Sequence, residues 1–502
     1  MKMTDTCGGE AIGLMHNEDC TDIFRVGFLP GKAGEGIDRY VDVLAGAKIG
    51  TLFLNTNSRR TNYRSEVWES FWDGYDPEGG DDQPFLAPIL RPQVAGYRRL
   101  LDNMLALQHE GVDYPQRVID RCRHHDIVPW ISLRMNDTHF ATENPAHPCH
   151  TSFFRNERFQ RGGPPDHFFR GLDYAHVEVR AHFRALIEET LTRYDMDGVE
   201  LDFLREPYCF RPGYEQEGAR ILTSWMSEIR ALVDAAAHRR GHPVRLGVRV
   251  PSSPEFCAGM GLDAPRWVRD GLVDLVVVAP RWFTVEFDLP LRRWRELLGN
   301  RVTLAGGLDV RYMPHPASPV AFVSPEHAVG AAVSVLSRGG DAVYLFNFFQ
   351  NSTPGWSSLE YQSLLGAMSS LDDLLTMPRR HGVTCRELVA PGESYVAPLP
   401  ARGTALAFAL PLGPWPLPGC TAQVLMEVGE GADLVTPPRV TVNDVMAALS
   451  AHTLQVASTT LTYDLPLSAL RGEDGDHIAV ETVEGKPIEV LSLEVRVTPP
   501  GR

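Results

Sequence analysis

Eight short β-like runs, each separated from the next by a stretch of helical periodicity, constrain this 502-residue chain more than any other feature. They lie at 23–29, 50–55, 127–134, 198–204, 245–250, 272–279, 302–307 and 342–347. Between them apolar residues recur at steps of three and four. Val179, Phe183, Leu186, Ile187, Leu191 and Tyr194 make one such stripe, and Leu222, Trp225, Met226, Ile229, Val233 and Ala236 make another. That spacing lines one face of a helix. Ser324-Pro325-Glu326 reads as a helix start, with a capping hydroxyl, a proline at the first helical position and an acid in the first turn. Eight strand–helix alternations predict a (β/α)8 TIM barrel. A doubly wound open sheet is the alternative, but the glycines of 28–34 lack the G-x-G-x-x-G spacing of a dinucleotide-binding turn.

The texture changes after Met377. Alternating runs at 404–410, 423–428, 452–456, 477–482 and 488–497, separated by Pro, Gly and Asp, predict an antiparallel β-sandwich. The expected domains are an N-terminal extension (1–21), a catalytic barrel (22–377) and a C-terminal β-sandwich (378–502). No aromatic platform stands out in the last, which favours a bracing role or a degenerate binding module. The segments 56–111 and 135–174 are long, polar and rich in aromatics, Pro and Gly, whereas the link at 46–49 is short. In a barrel the long loops follow the strands and sit on the face where active sites are built.

Composition excludes several classes of function. Forty-eight Lys and Arg against 64 Asp and Glu leave a net charge of −16, so no broad basic field displaces counterions from nucleic acid or binds an anionic membrane. No run of about 18 apolar residues offers a spanning helix, and residues 1–20 carry no apolar core of a secretory signal. The eight cysteines are scattered, with no C-x-x-C pair, which predicts reduced thiols in a cytoplasmic protein.

The chemistry is expected around the fourth run. Strand side chains alternate faces, so Val199, Leu201 and Phe203 point to the helices while Glu200 and Asp202 point into the barrel. Buried carboxylates need partners. The same alternation turns Ser132, Arg134 and Asn136 inward on the third run, and Arg245, Gly247 and Arg249 on the fifth. Glu200 and Asp202 are thus expected between Arg134 and Arg249. Asn55 and Asn57 end the second run, Asp309 follows the seventh and Asn347 ends the eighth, all at the rim where barrel enzymes carry catalytic groups. A carboxylate beside arginine stays ionised, which suits Asp202 as base or nucleophile. Glu200 is its partner or orients the arginines. The acid is a carboxyl without a cationic neighbour: Glu206, Glu286 or Asp309. Amides, guanidinium groups and aromatic faces suit a polyhydroxylated substrate, with Trp68, Trp72, Phe140, Trp282 and Phe283 as stacking candidates. Arg59, Arg60, Arg64, Arg134, Arg205, Arg249 and Arg281 make the rim basic enough for an anionic sugar. The chain has no zinc-ligand spacing such as H-E-x-x-H, no G-x-S-x-G elbow and no lysine ending a strand. Neither metal nor organic cofactor is expected.

Asp173-Tyr174, Arg134-Met135-Asn136-Asp137 and the run from Tyr194 through Gly198-Val199-Glu200-Leu201-Asp202-Phe203-Leu204-Arg205 resemble the glycosyl-hydrolase-like (family-10-like) barrel proteins of bacteria. The resemblance covers about 22–377 and implies a TIM barrel, often followed by β-sandwich modules, and O-glycosyl hydrolysis. It departs from the chitinase-type D-G-x-D-x-D-x-E signature, with Leu204 where that signature has its acid. Arg205-Glu206-Pro207 only echoes the Asn-Glu-Pro of the large retaining clan. The expectation is a metal-independent glycosidase acting on an oligo- or polysaccharide, with Asp202, Glu200, Glu206 and Asp309 as catalytic carboxyls. Asn55, Asn57, Arg134, Asn136, Asp137, Arg205, Arg249, Arg281, Trp282 and Asn347 are expected to contact substrate. The alternatives are a non-catalytic carbohydrate-binding barrel and a lyase or isomerase acting on an acidic sugar.

Overall fold

The eight strands of the barrel are β1 (Met15–Glu18), β2 (Thr51–Asn55), β3 (Val128–Arg134), β4 (Gly198–Asp202), β5 (Arg245–Pro251), β6 (Leu275–Ala279), β7 (Thr303–Asp309) and β8 (Ala342–Phe346). They close in the order β1-β8-β7-β6-β5-β4-β3-β2. The computed structural model describes residues 13–501 apart from 26, 165, 350–355, 431–435, 473–474 and 484. The first twelve residues of the expected N-terminal extension, with Cys7, lie outside the described residues. Among the described residues no helix is long and apolar enough to cross a membrane.

Seven of the eight expected strands are present, and the first is corrected. Residues 23–29 form no strand; Asp22–Arg25 is a short 3-10 turn, and the barrel opens with Met15–Glu18. The cause is polarity. Met-His-Asn-Glu has one apolar residue, yet all four are buried, whereas Ile23 and Phe24 are apolar core residues of a turn. The Phe24 carbonyl there accepts a hydrogen bond from Asn103 Nδ2 at 2.7 Å. The 21/22 boundary therefore falls inside the barrel.

The chain divides into two compact units, one comprising Met1–Val277, Glu296–Thr303 and Ala390–Gly392, the other Val278–Arg295, Leu304–Val389 and Glu393–Arg502. In the first unit the parallel registers stack residues in layers. Asn17, Phe53, Trp130 and Gly198 share one level; Asn55, Ser132, Glu200 and Gly247 share the next; Arg134, Asp202 and Arg249 share the one above. Trp130 fills the level beneath Glu200 because its neighbours are glycines. A Cβ on Gly198 would lie 2.4 Å from the indole, and one on Gly247 2.9 Å from it. The opposite faces of these strands carry Leu52, Leu54, Ile131, Leu133, Val199, Leu201, Leu246 and Val248, all buried. The two expected helical stripes lie on Val177–Arg193 and Glu215–Arg240 and are buried as predicted. Gly241 ends the second helix in the left-handed region, φ 75°.

In the second unit β7 and β8 pair in parallel, with Asp309 opposite Phe346. Ser324 caps the helix Pro325–Ser337 as expected, accepting from the His327 N–H. The C-terminal strands are β9 (Arg379–Gly382), β10 (Ala401–Gly403), β11 (Ala405–Leu410), β12 (Thr421–Gly429), β13 (Arg439–Val442), β14 (Val445–Met446), β15 (Ala448–Leu454), β16 (Ser458–Leu465), β17 (Asp476–Glu481) and β18 (Ile488–Thr498). They form a sheet ordered β9-β18-β12-β16-β15, with β10 also on β18, and a second ordered β11-β17-β13-β14. Alternate residues such as Val424, Met426, Val440, Val442, Ile478, Val480, Val495 and Val497 are buried. This is the two-faced pattern of a β-sandwich.

Gly198→Ala is expected to lower the thermal unfolding midpoint, since overpacking of a filled core costs about 1–3 kcal/mol. Adding Trp130→Phe should recover part of that loss. Equal midpoints for wild type and Gly198→Ala would show that the indole does not fill this level.

Candidate active site

Glu200 and Asp202 both lie on the lumen side of β4, as the alternation requires, at successive levels. Glu200 accepts from Ser132 Oγ at 2.6 Å across the β3–β4 pair. Asp202 is held by Arg249, whose Nε and Nη2 donate to the two carboxylate oxygens at 3.0 and 3.1 Å. The Leu204 N–H adds a third donor at 3.1 Å. The pair is sealed: the Asp202 side chain is 2% exposed and that of Arg249 0%.

Asp202 lies between Arg134 and Arg249 in the strand register, as expected, and Arg134 acts on it electrostatically, but the hydrogen bonds of Arg134 go elsewhere. Its guanidinium turns to Asp19 and Asp137, with Nη2 donating to Asp19 Oδ2 at 2.5 Å and Nη1 to Asp137 Oδ2 at 3.2 Å. Burial would raise the Asp19 pKa, but Arg134 and the Thr21 donors outweigh it and hold this carboxylate well below its usual range. Asp137 behaves alike. Burial raises it, while His139 first, then Arg134 and Arg205, bring it well below. His139 Nδ1 lies 2.9 Å from both Asp137 oxygens, and its Nε2 is 3.0 Å from Arg205 Nη2. Guanidinium nitrogens only donate. The imidazole thus bridges the Asp137 carboxylate and the Arg205 guanidinium.

Glu206 follows Arg205 beyond β4 and is also buried. Its Oε1 is 3.5 Å from His167 Nε2, which is 3.0 Å from Thr138 Oγ1. The opposite ring nitrogen of His167 faces Glu143 at 3.4 Å. Three side chains of this constellation reach solvent: Asp19 at 19%, His139 at 43% and His167 at 38% exposure. The sequence reading missed all three. Asp19 was hidden with the polar first strand. Asp137-x-His139 carried a readable signal, a carboxylate two residues from an imidazole. His167 had none, since only the folding of the long loop brings it to Glu206.

The remaining predicted contacts of this unit brace backbone. Asn55 Nδ2 donates to the Ser132 carbonyl at 3.0 Å. Asn57 bonds both the N–H and the carbonyl of Arg134, each at 3.0 Å. Asn136 accepts from the Leu172 N–H at 2.7 Å and donates to the Leu172 and Tyr208 carbonyls. The expected basic rim is likewise committed. Arg59 donates to the Asp137 carbonyl at 2.6 Å, Arg60 to the Ser70 and Asp73 carbonyls, and Arg64 to the Asp73 carboxylate. Two stacking candidates are corrected as well: Trp68 is buried against His182 with ring centroids 4.3 Å apart, and Trp72 is buried. These large rings pack the loop that carries them. Phe140 is exposed and stacks on His147 at 4.1 Å.

Arg281, Trp282, Asp309 and Asn347 belong to the second unit, where Trp282 and Asp309 meet Arg311. Asp309 Oδ1 accepts from the Arg311 N–H at 2.9 Å. The Arg311 guanidinium lies 3.9 Å above the Trp282 ring, and Arg281 Nη1 donates to Glu387. Asn347 is buried in the left-handed region, φ 63°. Glu286 is buried too. Among the described residues no three His, Cys, Asp or Glu side chains converge as metal ligands.

No protein-family model matches the sequence, the family-10-like barrel proteins included, and no curated protein is similar to it. Among solved structures it is similar to a Paenibacillus sp. cycloisomaltooligosaccharide glucanotransferase, with TM-score 0.35 and 10% identity over 96% of this chain and 57% of that one. Alpha-L-fucosidase isoenzyme 2 from Paenibacillus thiaminolyticus gives 0.41 and 12% over 72% and 49%. The PgaB (BpsB) glycoside hydrolase domain from Bordetella bronchiseptica gives 0.41 and 9% over 71% and 98%. The chain thus spans about half the length of the first two.

Two outcomes follow from these electrostatics. Asp202→Asn removes the charge that Arg249 grips in a sealed layer, and breaking such a pair costs about 3–5 kcal/mol. A marked drop in the urea midpoint is expected; an unchanged midpoint would mean that the pair does not hold the layer. Asp22, beside Asp19, is pushed up to about 6 by burial and secondly by the Asp19 carboxylate. Its folded value lies above the unfolded value of about 3.9. The stability it contributes is therefore present below pH 4 and lost as pH rises through 6. Asp22→Asn should raise the unfolding midpoint at pH 8 and leave it unaltered at pH 3.5, and an equal gain at both pH values would contradict the linkage.

Proposed function

We propose that the barrel is an intracellular glycosidase that hydrolyses an O-glycosidic bond of an oligo- or polysaccharide at the mouth where β1, β3 and β4 end. The observation that carries this reading is the exposure of Asp19, His139 and His167 above a sealed guanidinium–carboxylate layer. A hydrolase needs one ionised carboxylate and one proton donor at the same mouth. Asp19, kept ionised by Arg134, suits the base or nucleophile. Glu206, whose neighbour is an imidazole, suits the acid that protonates the leaving oxygen, with His167 returning its proton from solvent. Asp202 and Glu200 then act by positioning Arg249 and Ser132. An anionic sugar is not required, because the arginines already meet internal acids and carbonyls.

A second reading, a carbohydrate-binding barrel without turnover, is favoured by one fact: Glu200, Asp202 and Glu206 are all buried. Incubation with a panel of aryl glycosides and soluble oligosaccharides separates the two. Hydrolysis of at least one member is expected, with Asp19→Asn and Glu206→Gln each lowering kcat by about 10²–10⁴. Calorimetric sugar binding with no product, or an Asp19→Asn variant as active as wild type, would sink the hydrolase reading.

A further inference from the structure

Strand β11 stands at an edge of its sheet, paired with β17 alone. The Thr482 N–H donates to the Thr404 carbonyl at 2.9 Å, one step beyond the pair Ala405–Glu481. Opposed residues of an antiparallel pair alternate between bonded and non-bonded, so Leu406, Phe408 and Leu410 turn their backbone groups to β17. The far side of β17 agrees. There the Asn443 N–H donates to the His477 carbonyl at 2.8 Å, so the odd-numbered residues of β17 serve β13 and the even-numbered ones serve β11. The N–H and C=O groups of Ala405, Ala407 and Ala409 therefore point away from the sheet. Edge strands are ordinarily blunted by Lys, Pro or a bulge. β11 carries none of these: it reads Ala-Leu-Ala-Phe-Ala-Leu, its register is unbroken and its three alanines are exposed.

A cleft of about 330 Å³, within the range of small-ligand sites, is lined by the whole run from Leu406 to Leu410. Val383, Thr384, Pro398 and Ala401 add to its lining, and every lining residue belongs to the second unit. Asp288 is the one charged side chain among them. It is exposed, and no side chain hydrogen-bonds it. The surrounding protein raises its pKa, which its own backbone N–H, Arg338 and Arg386 oppose, the arginines only through their charge. An edge that offers a donor and an acceptor at every second residue is matched by another extended backbone. Side chains of such a strand alternate between the face of Leu406 and Phe408 and the face of the alanines. Charge selects the occupant. An unpaired carboxylate calls for a cation, and a chain of net charge −16 attracts a basic segment. A second copy of this chain would bring the same acidic charge to the same edge.

We propose that β11 and this cleft receive an extended basic segment of another protein, which adds as a strand to Ala405, Ala407 and Ala409 and sets a Lys or Arg side chain against Asp288. This docking does not depend on hydrolysis at the barrel mouth. Fluorescence anisotropy of the full chain with capped, labelled hexapeptides that alternate valine with lysine, arginine, serine or glutamate tests it, in about 0.15 M salt. The lysine or the arginine peptide is expected to bind. Asp288→Asn and Ala407→Pro should each weaken that binding by roughly tenfold, and Asp19→Asn should leave it unchanged. Proline is tolerated on a sheet edge, and at 407 it removes only an outward N–H, so the ladder to β17 stays whole. Hydrogen exchange of wild type reads the same contact without any substitution. The amides of Ala405, Ala407 and Ala409 should exchange fast alone and slowly with peptide, while those of Leu406 and Phe408 stay slow in both. Four results would overturn the proposal: no binding by either basic peptide, equal binding by the glutamate peptide, bound peptide with no slowing of the three alanine amides, or a dimer in sedimentation that Ala407→Pro dissolves.

Discussion

The buried lattice of guanidinium and carboxylate groups in the upper barrel governs the rest of the first unit. Arg249 grips Asp202 with two parallel hydrogen bonds, and Arg134 ties the end of β1 to the loop after β3 through Asp19 and Asp137. Charges taken from water are tolerated only with such geometry. The pairs therefore restrict where β1, β3, β4 and β5 can sit relative to one another. Below this layer the Trp130 indole packs against Gly198 and Gly247.

The loops of this unit are held by side chains reaching to backbone. Arg59 fastens the Asp137 carbonyl, Asn136 bonds both the N–H and the carbonyl of Leu172, and Asn57 bonds both backbone groups of Arg134. A polar residue used in this way has little capacity left for a ligand, and residue type alone does not reveal that use. The consequence is a division between a sealed layer that sets position and a half-buried fringe of Asp19, His139 and His167 that reaches solvent. The two histidines are set by acids beneath them, an arrangement in which the carboxylate selects tautomer and orientation.

Much of the fold was legible because it follows from period. The alternation of β4 placed Glu200 and Asp202 inside and Val199 and Leu201 outside, and the registers agree. The stripes of Val177–Arg193 and Glu215–Arg240 were equally plain. The first strand was not, because the barrel buries His16, Asn17 and Glu18, and a hydrophobic pattern cannot show a polar strand. Arg249 was assigned to Asp202 from neighbouring strands alone. Arg134 stands beside Asp202 in the register by the same logic, but its hydrogen bonds go to Asp137 and to Asp19, just past the strand that the pattern missed.

The amino-acid order by itself determined the strand–helix alternation, the side of β4 on which the two acids stand and the antiparallel character of the C-terminal region. Each depends on side-chain periodicity within a few residues. Tertiary structure alone decided which acid each arginine meets, which rings pack a loop and which face solvent, and that Asp19 and His167 reach the same unit's polar mouth. Those outcomes depend on distances between segments that lie from tens to more than a hundred residues apart in the chain, as with Asp202 and Arg249 or Asp19 and Arg134.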